Sequence, residues 1–476
     1  MNTFASAVDN RIERTENGMK AFATSANACV DLFYNIGASR GKNIVPQFIA
    51  AYVENREVAM RIALWARDAR KGAGERKIFR DILNYLENTN TNDAMALMYK
   101  TPELGRWDDL LCFTSEELKN EANNLIAVAL SKGDQLCAKW MPRKGEQAVA
   151  LRKYLEATPK EYRKLLVSLT NVVETQMCAK DWDNINFSHV PSLAAARYRN
   201  AFKRNTIKYA EYVAALVKGA DPKVKVNTGA VYPYDVLKSV LEELKSWHGG
   251  QLTTTDTDFI NAQWAALPNY IESGNILPMV DVSGSMEQPA GVSGTLTAMD
   301  VALSLGLYCA DKNKGKFKDI ILTFSANPEL LKVSGNVVQK IQQLKRADWG
   351  MNTNIISAID KILSVAIQSR VPQHEMPSML LIFSDMQFDS CARFDDSAIE
   401  AFRRRYESAG YILPKIVFWN LAARSKNSPV KSHENGTALV SGFSPSLMTS
   451  LLSNNLEQFT PESIMLETVM VERYSF

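Results

Sequence analysis

A chain of 476 residues is too long for one ordinary hydrophobic core, so two domains are expected. Its composition, 46% hydrophobic and 22% charged, is that of a soluble globular protein, and a net charge of +3 by itself points to no nucleic-acid partner. No apolar run approaches the ~18 residues that span a bilayer, and MNTFASAVDNRIER is polar and charged from its ninth residue, unlike a secretory signal. A cytoplasmic protein with no membrane segment is expected. From about Ala5 to Leu244 the pattern is helical. In VAMRIALWARDAR, Val58, Ile62, Trp65 and Ala69 recur at spacings of three and four, and KIFRDILNYLEN repeats this with Ile78, Phe79, Ile82, Leu83 and Leu86. EYRKLLVSLTNVVETQM and IKYAEYVAALVKG follow, with Gly and Pro between the stretches. Such a succession predicts an α-helical array of stacked, HEAT-like helix pairs, although no fixed period marks a regular repeat.

From Gly274 strands alternate with helices. NILPMVDV, DIILTFSA, SMLLIFSDMQF and KIVFWNLAA read as strands. LTAMDVALSLGLYCADKNK, NVVQKIQQLKRA, NIISAIDKILSVAIQS, IEAFRRRYESAG and PSLMTSLLSN read as helices. Strands apolar on both faces and separated by helices predict a Rossmann-like, mainly parallel sheet covered on both sides. The fold class is therefore α plus α/β, divided into residues 1–270 and 271–476, with the boundary in the polar stretch between about Gly249 and Gly274.

The six cysteines and four histidines are dispersed, without CxxC or HExxH spacing. A zinc centre or a disulfide framework is not expected, and the thiols read as mostly buried. Chemistry concentrates instead at Asp281-Val282-Ser283-Gly284-Ser285, where the first strand of the sheet ends. Ligands bind at the carboxyl ends of strands in open α/β sheets. One carboxylate and two hydroxyls around a glycine can turn their oxygens to one point, a donor set suited to Mg²⁺ or Mn²⁺. A serine-rich loop capping the next helix would show the same letters.

DVSGS resembles the first loop of the metal-ion-dependent adhesion site of von Willebrand factor A domains. That family adds a threonine from a second loop and an aspartate from a third. Trp349-Gly350-Met351-Asn352-Thr353-Asn354 is similar to the second loop, and Ile382-Phe383-Ser384-Asp385 to the third. The resemblance implies a cation held by Asp281, Ser283, Ser285, Thr353 and Asp385, with a position open to a carboxylate from a protein ligand. A haloacid dehalogenase-type phosphatase would want a second Asp where Ser283 stands, and no GxxxxGK[ST] loop is present. No catalysis is expected.

In the helical half, Arg67 to Arg76 (RDARKGAGER) and Gly105 to Leu111 (GRWDDLL) read first as structure: glycines ending a helix, and Trp107, Leu110 and Leu111 in the core. Followed by an A domain, both segments also resemble Ro-type ribonucleoproteins, in which a helical TROVE module binds small non-coding RNA. A closer similarity is to a family of unknown function with the same two-part order. The implied partner is a small structured or single-stranded RNA. Charge patterning adds Lys139, Arg143, Lys144, Arg152 and Lys153, interleaved with Trp140, Tyr154 and Tyr162. Arg197, Arg199, Lys203 and Arg204, with Tyr198, Phe202 and Tyr209, form a second stretch. Cations pair with phosphates and aromatics stack on bases; a solvated helix face with inward aromatics has the same pattern. A Ro-like RNA-binding protein whose A domain captures a partner is expected. The alternatives are a protein–protein scaffold without RNA and a metal-dependent hydrolase.

Overall fold

The computed structural model describes residues 12–40, 42–228, 231–245, 252–271, 275–290, 296–324, 327–346, 353–390, 396–422, 427–452 and 458–476. Helices precede a mainly parallel six-stranded sheet with its own helices, as the periodicities predict. The chain forms two compact units, one of Met1–Ile62 with Thr228–Val471, the other of Ala63–Asn227 with Glu472–Phe476. These units interleave along the chain, and the strands of the sheet begin after the change of pattern near residue 270.

In the first unit, β1 (Ile12–Arg14) and β2 (Lys20–Phe22) form an antiparallel hairpin. The sheet contains β3 (Ile276–Asp281), β4 (Ile320–Phe324), β5 (Leu330–Lys332), β6 (Met379–Ser384), β7 (Lys415–Asn420) and β8 (Thr437–Ser441), in the order β5-β4-β3-β6-β7-β8. All neighbours are parallel except the edge pair β4–β5. Every residue of β3, β6 and β8 is buried, as a sheet covered on both faces requires. The chain builds outward from β3 through β4 to β5, then returns to place β6 on the other side of β3. The carboxyl ends of β3 and β6 thus meet at the topological switch point, the usual ligand crevice of such sheets.

Helix Ala298–Lys312 begins with a capping box between Thr297 and Asp300 and packs on β3. Gly306 is required there, because a Cβ would come within 2.5 Å of Val280 Cγ2. Helix Ala28–Ile36 packs on β8, and its closing Gly37 lies against Gly442, whose nitrogen a Cβ would approach to 2.4 Å. The polar stretch expected to link the domains instead carries helix Thr254–Ala265, started by a Thr253/Asp256 capping box. Gly249, Gly274 and His248 lie outside the described residues.

The second unit is helical. Helix Arg76–Thr89 packs on Thr91–Leu104, Gln135–Trp140 on Glu116–Ser131 and Pro159–Leu169, and Ser192–Asn205 on Lys208–Lys218. The stretch 161–177, read as helical throughout, breaks between Leu169 and Val173. An aromatic core joins Phe187 to Phe202, Tyr209 and Tyr212 at centroid distances of 5.1, 5.3 and 5.5 Å. Among the described cysteines Cys29, Cys137 and Cys309 are buried, but Cys112 is half-buried and Cys178 exposed; Cys391 lies outside the described residues. No described helix is long and apolar enough to cross a membrane.

Candidate functional site

Strand β3 ends on Asp281, whose side chain is fully buried. The pairing of Val280 with Phe383 sets Asp281 beside Ser384, the last residue of β6. Ser384 Oγ donates to Asp281 Oδ2 at 2.6 Å and accepts from Met386 N at 2.9 Å. Ser283 N donates to Asp281 Oδ1 at 2.9 Å, and the Ser283 and Ser285 hydroxyls lie 3.0 Å apart. Ser283 is buried and Ser285 half-buried, while Gly284 is exposed, so the first loop opens toward solvent at its glycine.

Asp385 follows β6 directly and is 1% exposed. Its Oδ1 accepts from Gln387 N at 3.2 Å across a tight turn, in which Met386 takes a left-handed φ of 63°. Such a conformation is unfavourable for a side-chain-bearing residue and is retained where the surroundings fix it. Thr353, also buried, joins the same place: its carbonyl accepts from Asp389 N at 3.1 Å. Trp349 to Asn352 of the second loop lie outside the described residues. Asp281, Ser283, Ser285 and Asp385 thus stand at the adjoining carboxyl ends of β3 and β6, and Thr353 is tied to the loop after β6 through Asp389.

The electrostatics of this cluster are unusual. Burial first, and then the negative charge of Asp385, push the Asp281 carboxyl well above the ordinary carboxylate range, although Ser384 and Ser283 oppose this with hydrogen bonds. Among the described residues no lysine or arginine pairs with Asp281. Comparably buried aspartates elsewhere do have cations: Lys245 and Lys345 for Asp300, Arg67 and Arg80 for Asp109, and Arg473 for Asp68. Two adjacent buried carboxylates surrounded by neutral hydroxyls form a donor set suited to a hard divalent cation. Among the described residues no group of three or more His, Cys, Asp or Glu side chains comes together to offer a softer or more acidic centre.

Two contributors escaped the sequence reading. Ser384 stands one residue before a recognised ligand position, and its only signal is that place at a strand end. Asn17 reaches the site from the tip of the β1–β2 hairpin, donating from Nδ2 to Thr353 Oγ1 at 3.1 Å and to the Gln387 carbonyl at 2.8 Å. The Asn17-Gly18 pair between IER and KAF was the available hairpin signal; nothing local says where the hairpin docks.

In the helical unit the two motif segments turn out to share one ionic core. Arg67 Nη2 meets Asp109 Oδ2 at 2.6 Å, with the two side chains 2% and 0% exposed, and Arg80 Nε reaches Asp109 Oδ1 at 2.8 Å. Arg106 N donates to Asp109 Oδ2 at 3.0 Å. Gly105 leaves room for this pair, since a Cβ would lie 2.9 Å from both Arg67 Nε and Asp109 Oδ2. Gly72 packs against the Trp65 carbonyl, where no Cβ fits. Leu110 joins the core as expected, but Trp107 and Leu111 are only half-buried.

Of the interleaved aromatics, Tyr162, Phe202 and Tyr209 are buried, Tyr198 is half-buried, and Trp140 lies under the Arg106 guanidinium at 3.3 Å. Most are thus packing residues, and Tyr154 is the exposed one. The cations lie outside: Arg143, Lys144, Lys153, Arg197 and Arg204 are exposed, and Lys139, Arg152, Arg199 and Lys203 half-buried. Among the described residues no carboxylate pairs with Arg143, Lys144, Arg152, Lys153 or Arg197. Lys139 borders a cleft with Gln135, Asn171, Gln176, Asn184 and His189, which leads toward the helix bearing Arg197 to Arg204.

The chain matches the model of a domain of unknown function, DUF2828, over residues 15–95 and 118–276, and that of a second, DUF7788, over residues 275–473. It is 32% identical over 522 residues to "Uncharacterized protein L728" of Acanthamoeba polyphaga mimivirus, covering 96% of this chain and 86% of that protein. The chain belongs to the DUF2828 family. Both matching descriptions leave activity open, so the DUF2828 assignment brings no reaction or ligand with it. The crystal structure of the Deinococcus radiodurans Ro (RSR) protein is similar to this DUF2828 chain with a TM-score of 0.48 and 14% identity, over 89% of this chain and 93% of that one. At that level, function has to be argued from the chain's own geometry.

Proposed function

We propose that this is a non-catalytic binding protein whose sheet unit holds Mg²⁺ or Mn²⁺ through Asp281, Ser283, Ser285, Thr353 and Asp385. The observation that carries this reading is the buried Asp281 beside Asp385, with no lysine or arginine paired to Asp281 among the described residues. Isolating an ionised carboxylate in the interior is costly, and a bound divalent ion offsets that cost. With only two carboxylates among its donors, the ion would remain electrophilic and present a position for a partner's carboxylate. Two serines and a threonine would supply its neutral donors, and among the described residues no nucleophile–base pair at these loops suggests hydrolysis.

Calorimetry with Mn²⁺ tests this directly. The wild type should bind and Asp281→Ala should lose affinity by more than about 100-fold, as expected when a charged ligand is removed; equal binding by the two overturns the assignment. Turnover of a phosphoester that disappears in Asp281→Ala would favour a hydrolase instead.

A second reading concerns the helical unit, and two features favour it: cations that no carboxylate pairs among the described residues, and an amide-lined cleft bordered by Lys139. Lys144, Arg152 and Lys153 suit phosphates, and the Asn and Gln side chains of the cleft suit the edges of unpaired bases. We infer a Ro-like role in binding a small structured or single-stranded RNA. The purified protein should carry RNA and release it steeply with salt. Protein free of nucleic acid that shifts no structured RNA at low salt would leave a protein–protein scaffold as the better account.

A further inference from the structure

The β1–β2 hairpin is built around a tight turn. Gly18 N donates to the Thr15 carbonyl and Thr15 N to the Met19 carbonyl, both at 2.9 Å, and Gly18 has a φ of 92° that favours glycine. This turn is fastened along the loop after β6. Thr15 Oγ1 donates to the Phe388 carbonyl at 2.6 Å, Glu16 N to Gln387 Oε1 at 2.7 Å, and Ser390 N to the Asn17 carbonyl at 3.1 Å. A bridge between Gly18 and Asp389 continues the pairing.

So seated, the Asn17 amide spans two loops of the candidate cation site. Its Nδ2 donates to the Thr353 hydroxyl in the second loop and to the Gln387 carbonyl in the third. A hydroxyl oxygen has two lone pairs, and accepting from Asn17 engages one of them, leaving the other for a cation. Groups that hydrogen-bond a metal ligand fix its orientation. Asn17 itself is exposed, whereas the Thr353 it contacts is buried.

We propose that Asn17 is a positioning residue of the cation site, and that cation loading and docking of the N-terminal hairpin reinforce each other. This rests on the cation reading above. Linkage makes the coupling reciprocal: whatever the docked hairpin adds to cation affinity, the cation returns to docking.

The test uses the full chain and Mn²⁺. By calorimetry Asn17→Ala should bind Mn²⁺ about tenfold more weakly, the usual scale for losing a partner of a metal ligand. Glu13→Ala, an exposed change in the same hairpin, should match the wild type. Hydrogen exchange read on residues 12–22 should slow when Mn²⁺ is added to the wild type, and much less in Asn17→Ala. If the wild type binds Mn²⁺ and Asp281→Ala does not, yet Asn17→Ala equals the wild type and exchange in the hairpin is unmoved, the positioning role alone is overturned. If the folded wild type binds no Mn²⁺, the cation reading falls and takes this inference with it.

Discussion

Two aspartates, each fully buried, show two different ways of treating interior charge. Asp109 of the helical unit is met by Arg67 and Arg80 and by a backbone N–H, so its charge is neutralised by groups the chain supplies. Asp281 of the sheet unit is met by a backbone N–H, a serine hydroxyl and the charge of another aspartate. The first arrangement is complete within the protein; the second is balanced only when a proton or an external cation joins it. A buried acid thus separates structure from function less by its burial than by what faces it.

The largest expected effect that would break this contrast is at Asp109. Asp109→Ala leaves Arg67 buried without its partner and should cost about 3–5 kcal/mol of stability, measured by urea unfolding. Mn²⁺ affinity of the folded variant should not change. A smaller cost, about 1–3 kcal/mol, is expected for Ser384→Ala, which removes the hydroxyl bonded to Asp281; added Mn²⁺ should narrow the difference from the wild type.

Acidity sharpens the comparison further, because Asp68 and Asp281 should respond with opposite sign. Burial pushes the Asp68 carboxyl up, but Arg473 and the Arg70 and Lys71 N–H groups outweigh it and hold it below the ordinary range. Its contribution is present above the unfolded value and is lost as pH falls through the folded one. Asp281 is raised, so in the metal-free protein its folded form holds the proton more tightly. Its contribution is greatest at low pH and declines as pH climbs from the ordinary carboxylate range to the folded value. Hydrogen exchange over an acid series should show the contacts around Asp68 loosening before those around Asp281. Mn²⁺ affinity should rise with pH over the Asp281 window, with a proton release that calorimetry in two buffers can count. The smallest effect belongs to the surface: Lys144→Ala, Arg152→Ala and Lys153→Ala should each lower the salt slope of RNA binding by about 1, while Asp281→Ala leaves it unchanged.

Four of the six strands, β3, β4, β6 and β7, were legible because their information is local, whereas β5 and β8 were not read. Apolar runs such as MLLIFS and IVFWN require burial on both faces, and the helices that follow β3, β5 and β6 have their own periodicity. The DVSGS loop could be read from its place at a strand end, and Thr353 and Asp385 from the resemblance of their loops to the adhesion site of von Willebrand factor A domains. What the sequence hid depends on distant contacts. Asn17 meets Thr353 only after the chain has travelled through both units, and no spacing rule reports that. Likewise, Trp107 looked like a core residue, but the important neighbour is Asp109, whose partner Arg67 lies in a different helix. The basic stretches hid their geometry in the opposite way: Phe202 and Tyr209 alternate with cations in sequence but turn inward in the fold.

The interleaving of the two units has a consequence for how the protein is made. During synthesis the hairpin and the helices up to Ile62 leave the ribosome well before β3, β6 and the loop that receives Asn17 exist. At about 5–20 residues per second the wait is on the order of tens of seconds, during which the intervening helical segment has time to fold. The amino-terminal segment must therefore stay unattached and soluble until the last third of the chain arrives, and its mostly exposed, charged first strand suits that interval.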